Sequence, residues 1–288
     1  MTKDAIDWNE IWEEQYQKHM ESNCEVECAN IWEKKEAAKR FWNMSQENNA
    51  GRILKTIKDL GISPNSRVLD VGAGPGTLAI PLAKKVAHVT AVEPSEGMLA
   101  VLKDQAEKEQ IDNVFCVQKR WEDVDLKKDL KGPYDVVMAS YSLGMPNIKE
   151  AIQKMIDASS KYVYLYWFAG ESSWEATSRN IWPIIHKREY CPGPKCDVLY
   201  NLLYQMGIYA NLEVFDFEHV NRYSSLEEAF DNLKSQYKVS TPEQELNLRD
   251  FLQNVLEEDN GSLVMRGSST RVKMWWDKNT IEAPRTIN

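Results

Sequence analysis

Apolar residues along this 288-residue chain change their period part-way through. In the first sixty residues they recur every three or four positions, as Trp8, Ile11, Trp12 and Tyr16 and again as Ile53, Leu54, Ile57 and Leu60. That spacing places them on one face of an α-helix. It predicts a helical stretch over 6–41, interrupted around Cys24 to Cys28, and a further helix over 48–60 that stops at Gly61. From Arg67 onward short unbroken apolar runs take over, at 68–71, 89–92, 114–117, 136–139 and 162–168. Runs without polar alternation are strands covered on both faces. The segments between them, 77–85, 96–109 and 148–159, return to helical periodicity. Strand and helix alternating with right-handed crossovers make a mostly parallel sheet with helices on both sides.

After Gly170 the alternation fails. Helices are expected over 174–187 and 198–207, on either side of a loop holding Cys191, Pro192, Gly193, Pro194 and Cys196. Then come a strand over 211–219, helices over 225–237 and 242–256, and two short strands, 262–266 and 270–276, read as an antiparallel hairpin completing the sheet. The expected organisation has four parts: a helical N-terminal cap (1–60), a ligand-binding core (61–170), a helical insertion or lid (171–210), and C-terminal strands and helices that finish the core sheet (211–288). No repeat or low-complexity segment interrupts it.

The strongest chemical signal is Asp70-Val71-Gly72-Ala73-Gly74-Pro75-Gly76, a buried strand running into a glycine turn and then a helix. Glycines there let the backbone turn sharply and approach a ligand closely. Their spacing does not fit the G-x-G-x-x-G fingerprint of nicotinamide-dinucleotide sites. Asp70, two residues before the first glycine, would repel a pyrophosphate and attract a cation. A second strand ends in Glu93-Pro94, 21 positions after Gly72, where a carboxylate can accept hydrogen bonds from both ribose hydroxyls.

On these residues the sequence resembles the class I S-adenosylmethionine-dependent methyltransferases over roughly 67–170. The resemblance implies an α/β fold, a doubly wound, seven-stranded, mostly parallel Rossmann-like sheet with S-adenosyl-L-methionine as cofactor. It places Asp70, Gly72, Ala73, Gly74 and Gly76 along the methionine portion, Glu93 and Pro94 at the ribose, and Met98, Trp121 and Glu122 around the adenine. Arg120 stands where the family often has an aspartate toward the adenine amine. Ser140 and Tyr141 follow the fourth strand, between the methionine end and the acceptor. Tyr141 and His186 are the candidate catalytic side chains, although an acceptor held in line with a reactive methyl needs no dedicated base.

A formal charge of −9 at pH 7 argues against a polyanionic partner, and a small-molecule methyl acceptor is expected, with nucleic acid disfavoured. No apolar run reaches the length needed to cross a bilayer and the first residues are acidic, so a cytoplasmic protein without membrane contact is expected. The five cysteines are read as free thiols, with Cys24, Cys28, Cys191 and Cys196 as candidate metal ligands if cap and insertion meet. The alternatives are a cofactor-binding sensor or assembly protein without turnover, and a methyltransferase acting on RNA or protein. Oligomeric state has no sequence signature here.

Overall fold

The computed structural model describes residues 6–23 and 32–283. Its centre is a sheet built from β1 (Arg67–Val71), β2 (His88–Val92), β3 (Val114–Val117), β4 (Tyr134–Ser140), β5 (Ser159–Phe168), β6 (Asn211–Tyr223) and β8 (Ser262–Asp277), in the order β3-β2-β1-β4-β5-β8-β6. The first five strands are parallel, while β8 runs antiparallel to both β5 and β6. A three-residue strand, β7 (Glu257–Asp259), pairs with the start of β8. Strand order reverses direction at β1, so the crevice beyond its carboxyl end is where ligands bind in open α/β sheets.

Helices cover both faces, as the unbroken apolar strands require. One face packs against α2 (Lys35–Asp59), α3 (Ala79–Ala83) and α4 (Glu96–Lys108), joining Ile57, Ile80, Leu99 and Leu102 to Val68, Val89 and Val136. The other packs against α1 (Trp8–Ser22), α5 (Ile148–Ala158) and α7 (Cys196–Gln205), joining Trp12, Ile152, Met155 and Leu199 to Leu69, Val137 and Leu165. A third core lies beyond the sheet's end. There α6 (Ser173–His186), α8 (Leu226–Lys234) and α9 (Pro242–Val255) enclose Trp182, Phe230, Tyr237 and Leu248.

Several boundaries follow from capping chemistry. Ser95 accepts a hydrogen bond from Met98 N at the start of α4, and Ser172 and Thr241 form capping boxes with Glu175 and Gln244 at the starts of α6 and α9.

Two expectations are corrected. The break before residue 48 is absent, because α2 runs unbroken from Lys35 to Asp59. The hairpin expected over 262–276 is one sixteen-residue strand, roughly 50 Å long. Its Gly267-Ser268-Ser269 looks like a turn in sequence but pairs in register with His219, Glu218 and Phe217. Gly267 is there because a Cβ would sit 2.5 Å from His219 Cε1 and closer still to Ser173 Oγ, a close approach rather than a bend. The length of β8 and β6 carries them past the parallel sheet into the third core, where Tyr223, Leu263 and Met265 join it.

Candidate active site

The glycine turn is clamped from two sides. Gly72 N and Ala73 N both donate to Val92 O, at 2.8 and 3.1 Å, tying the turn to the end of β2. From β4's side, Ser142 Oγ donates to Val71 O at 2.5 Å. Gly72 has φ +71° and a Cβ would overlap Ser142, so a side chain is excluded twice. Gly74, at φ +57°, meets nothing within 4 Å at its Cβ position. Its backbone borders open space, as a turn that receives a ligand must.

Beside this turn lie two buried carboxylates. Asp70 is 2% exposed and accepts no hydrogen bond and no ion pair from a described residue. Burial, and secondarily the charge of Glu93, push its carboxyl up to about 7. Glu93 is also buried and its carboxyl is raised by desolvation, an effect opposed by hydrogen bonds from Ser95 N and Gly74 N, each at 2.9 Å. Two carboxylates withdrawn from water without a cation between them are costly to ionise. A ligand carrying positive charge relieves that cost, so the donor set fits the ammonium and sulfonium groups of S-adenosylmethionine and disfavours a phosphate.

The remaining expected contacts fall out unevenly. Ser140 ends β4, and Tyr141 follows it at φ +60° with its N–H donating to Tyr166 O at 3.0 Å. Pro94 is half-buried between Glu93 and the Ser95 cap. Met98 is buried in the first turn of α4, and Glu122 is exposed. Trp121 departs from the role expected of it. Its ring is 2% exposed and Nε1 donates to Ala151 O at 3.0 Å, so the indole is engaged by the core against α5. An aromatic residue with one polar atom is drawn inward whenever a carbonyl is there to meet it.

His186 is placed elsewhere. A ring nitrogen lies 2.8 Å from Tyr237 O, the ring packs 4.4 Å from Trp182, and burial lowers its basicity. It lines an open cleft of about 440 Å³ with Arg188, Thr241, Glu243 and Gln244, none of which belongs to the glycine turn. The end of α6 faces α8 and α9, which takes His186 out of the candidate catalytic set. Cys24 and Cys28 lie outside the described residues. Cys191, Cys196 and Cys116 carry free thiols, and no cluster of three or more metal-ligating side chains occurs among the described residues. His88 is structural, with Nε2 2.9 Å from Thr90 Oγ1 and its ring stacked on Phe115.

Two cations at this edge carried no sequence motif. Arg52 from α2 and Arg271 from β8 both lie against the ring of Tyr141, with guanidinium carbons 5.4 and 4.6 Å from its centroid. Phe168 packs 5.1 Å from Tyr141 and Trp174 packs 5.0 Å from Phe168, extending an aromatic wall. The available signal was the alternation Arg271-Val272-Lys273-Met274, two cations on one face of a strand whose other positions are apolar.

Comparison with known proteins bears on the fold and on the class of activity. Residues 68–161 match a family described as a methyltransferase domain. An uncharacterized protein of Haemophilus influenzae is 27% identical over 93% of this chain and 97% of its own length. A ribosomal RNA small subunit methyltransferase A of Desulforapulum autotrophicum is 32% identical over 34% of each chain, so the likeness spans about a third of that relative. Among solved structures, a methyltransferase-type protein of Bacillus halodurans C-125 superposes with a TM-score of 0.55 at 19% identity, covering 80% of this chain and 99% of the other. Residues 68–161 carry a methyltransferase domain on a class I-type fold, and the enzyme is an S-adenosylmethionine-dependent methyltransferase. The expectation against a nucleic-acid acceptor gains no support, since an RNA methyltransferase is among the relatives. No helix among the described residues is long and apolar enough to cross a membrane.

Proposed function

We propose that this enzyme methylates a small molecule, with the transfer site at the carboxyl edge of β4 beside Tyr141. The observation that carries the reading is the enclosure of that edge. Tyr141 is walled by Phe168 and Phe168 by Trp174, and the cation of Arg271 lies 4.6 Å from the centroid of Tyr141 and 3.7 Å from that of Phe217. An edge lined by rings suits a compact molecule better than a duplex or a folded protein surface.

In this reading Asp70 holds the ammonium end of the cofactor, the backbone of Gly72 to Gly76 follows its methionine portion, and Glu93 accepts from the ribose. When bound, the cofactor supplies a methyl group on a positively charged sulfur that an attacking lone pair can displace. The chain's own part is to align the acceptor and exclude water. Phe168 and Trp174 exclude water, while Ser142 braces the loop bearing Tyr141 against β1. Met98 and Glu122 border the adenine, with Trp121 supporting that wall from the core side.

Labelled cofactor tests the acceptor class directly. The enzyme is incubated with S-adenosylmethionine carrying a tritiated methyl group and separate pools of metabolites, total RNA and total protein. Label in a dialysable product that separates chromatographically from the labelled cofactor supports the reading, and label retained with RNA or protein overturns it. Calorimetry on Asp70→Ala and Glu93→Ala tests the cofactor contacts, with each variant expected to weaken S-adenosylhomocysteine binding by roughly ten-fold or more.

A further inference from the structure

Arg271 is 8% exposed, on a strand at the centre of the antiparallel half of the sheet. Its Nε donates to Ser269 Oγ at 2.8 Å, and its plane lies against Phe217, Tyr141 and Phe168. It forms no ion pair with any described residue. The acidic groups nearest along the sheet are engaged elsewhere. Asp59 and Glu213 both pair with Lys273, and Asp216 accepts from Thr270 Oγ1. Burial depresses the basicity of Arg271, an effect opposed by Tyr141 and reinforced by the neighbouring charge of Arg52. Two guanidinium groups therefore share one tyrosine ring in a desolvated place without a carboxylate to balance Arg271.

A second, independent observation lies around it. The Nδ1 of His219 is buried without a hydrogen-bond partner, and the buried Tyr141 hydroxyl has only the two guanidinium groups of Arg52 and Arg271 within reach. Tyr166 is itself 2% exposed and lies within electrostatic range of Tyr141 and Arg52. The ring of His219 stacks on Phe217, which carries the Arg271 cation on its face. Buried polar atoms are normally satisfied, and an unpartnered ring nitrogen beside a buried cation without a counter-ion favours an anion there.

Position separates this anion from the cofactor. Arg271 is on β8, three strand spacings from β1, which is roughly 14 Å across the sheet. The glycine turn is at β1, and Tyr141 on β4 stands between. We propose that Arg271, with Arg52 and the Tyr141 hydroxyl, anchors a carboxylate of the methyl acceptor, and that the Phe168, Phe217 and Trp174 rings hold an aromatic or flat body attached to it. The acceptor class is thus a small aromatic acid. This rests on the reading that the acceptor is a small molecule bound beside Tyr141.

Calorimetry on the full chain tests this with benzoate and its neutral isostere benzamide, titrated with and without saturating S-adenosylhomocysteine. Wild type is expected to bind benzoate roughly ten-fold or more tightly than benzamide. Arg271→Met is expected to bring the two within about two-fold while leaving S-adenosylhomocysteine affinity within about two-fold of wild type. Arg271→Lys keeps part of the preference. Equal binding of the two probes by wild type, or binding of neither, overturns the proposal without needing any variant. A ten-fold loss of S-adenosylhomocysteine affinity in folded Arg271→Met also overturns it, because the cation would then serve the cofactor's own carboxylate. Should wild type fail to bind S-adenosylhomocysteine, the cofactor contacts proposed above fall, while the comparison of benzoate with benzamide on the unloaded protein still decides the anion site.

Discussion

Burial raises the Asp70 carboxyl from an ordinary 3.8 to about 7, which makes it a stability liability and, in the proposed role of holding the cofactor's ammonium, a proton switch for binding. Between those values the folded chain keeps a proton that the unfolded chain has released. Stability therefore falls as pH rises through that window, and the contribution is gone above the folded value. Asp70→Asn is expected to stabilise the ligand-free protein at about pH 8 by on the order of a few kcal/mol, raising its melting temperature, with the difference shrinking toward pH 5. Thermal denaturation at the two pH values checks this, and equal shifts at both would remove the burial argument. A cation bound at Asp70 needs the ionised form. S-adenosylmethionine affinity is accordingly expected to rise between about pH 6 and 8 with release of a proton, measurable by calorimetry in buffers of different ionisation enthalpy. The carboxylates at this site were legible in sequence because strand, glycine turn and acid are contiguous. Arg271 was not, because its meaning depends on which acids its neighbours have already engaged.

Gly97, in the first turn of α4, shows how elements bring the cap to the site. A Cβ there would overlap the carbonyl oxygens of Trp32 and Glu33, and Ser95 Oγ donates to Trp32 O at 2.8 Å. The segment entering α2 thus lies against the helix that follows Glu93, and Lys35 pairs with Asp104 at 2.6 Å alongside. Backbone atoms yield less readily than side-chain tips, so Gly97→Ala is expected to cost roughly 1–3 kcal/mol. It should also speed proteolysis ahead of α2, a change that limited trypsin digestion would reveal. Phe41 and Trp42 take part in the same packing, with Phe41 5.1 Å from Trp32 and Trp42 buried against the glycine-turn helix side. Local periodicity identified most elements after residue 60 to within a few positions. It failed at α2 and β8, where continuity is set by what lies alongside.

Across the whole molecule the N-terminal helix is a structural strut. Trp12 is fully buried, its Nε1 donates to Met145 O at 2.8 Å, and its ring lies 6.0 Å from Trp167 on β5. Trp12→Ala is expected to cost roughly 3–5 kcal/mol, read from urea denaturation, through the cavity and the orphaned carbonyl together. Net charge gives a second test at this scale. A small acceptor leaves turnover changed by less than about three-fold between 50 and 200 mM salt, whereas an RNA acceptor held through several phosphates would lose roughly a thousand-fold in affinity. Initial rates at the two salt concentrations, below saturation, distinguish them.

What the sequence alone determined is the α/β core, the glycine turn with Asp70 and Glu93, and the class of cofactor they suit. These depend on residues close together in the chain, where hydrophobic period and backbone conformation are set locally. Tertiary structure decided the rest. It made β8 one strand by pairing Gly267 with His219, turned Trp121 into the core, and removed His186 from the site. It also brought Arg52 and Arg271, 219 positions apart, against one tyrosine ring. Whether a buried charge is balanced is a property of the packed neighbourhood, and no spacing along the chain encodes it.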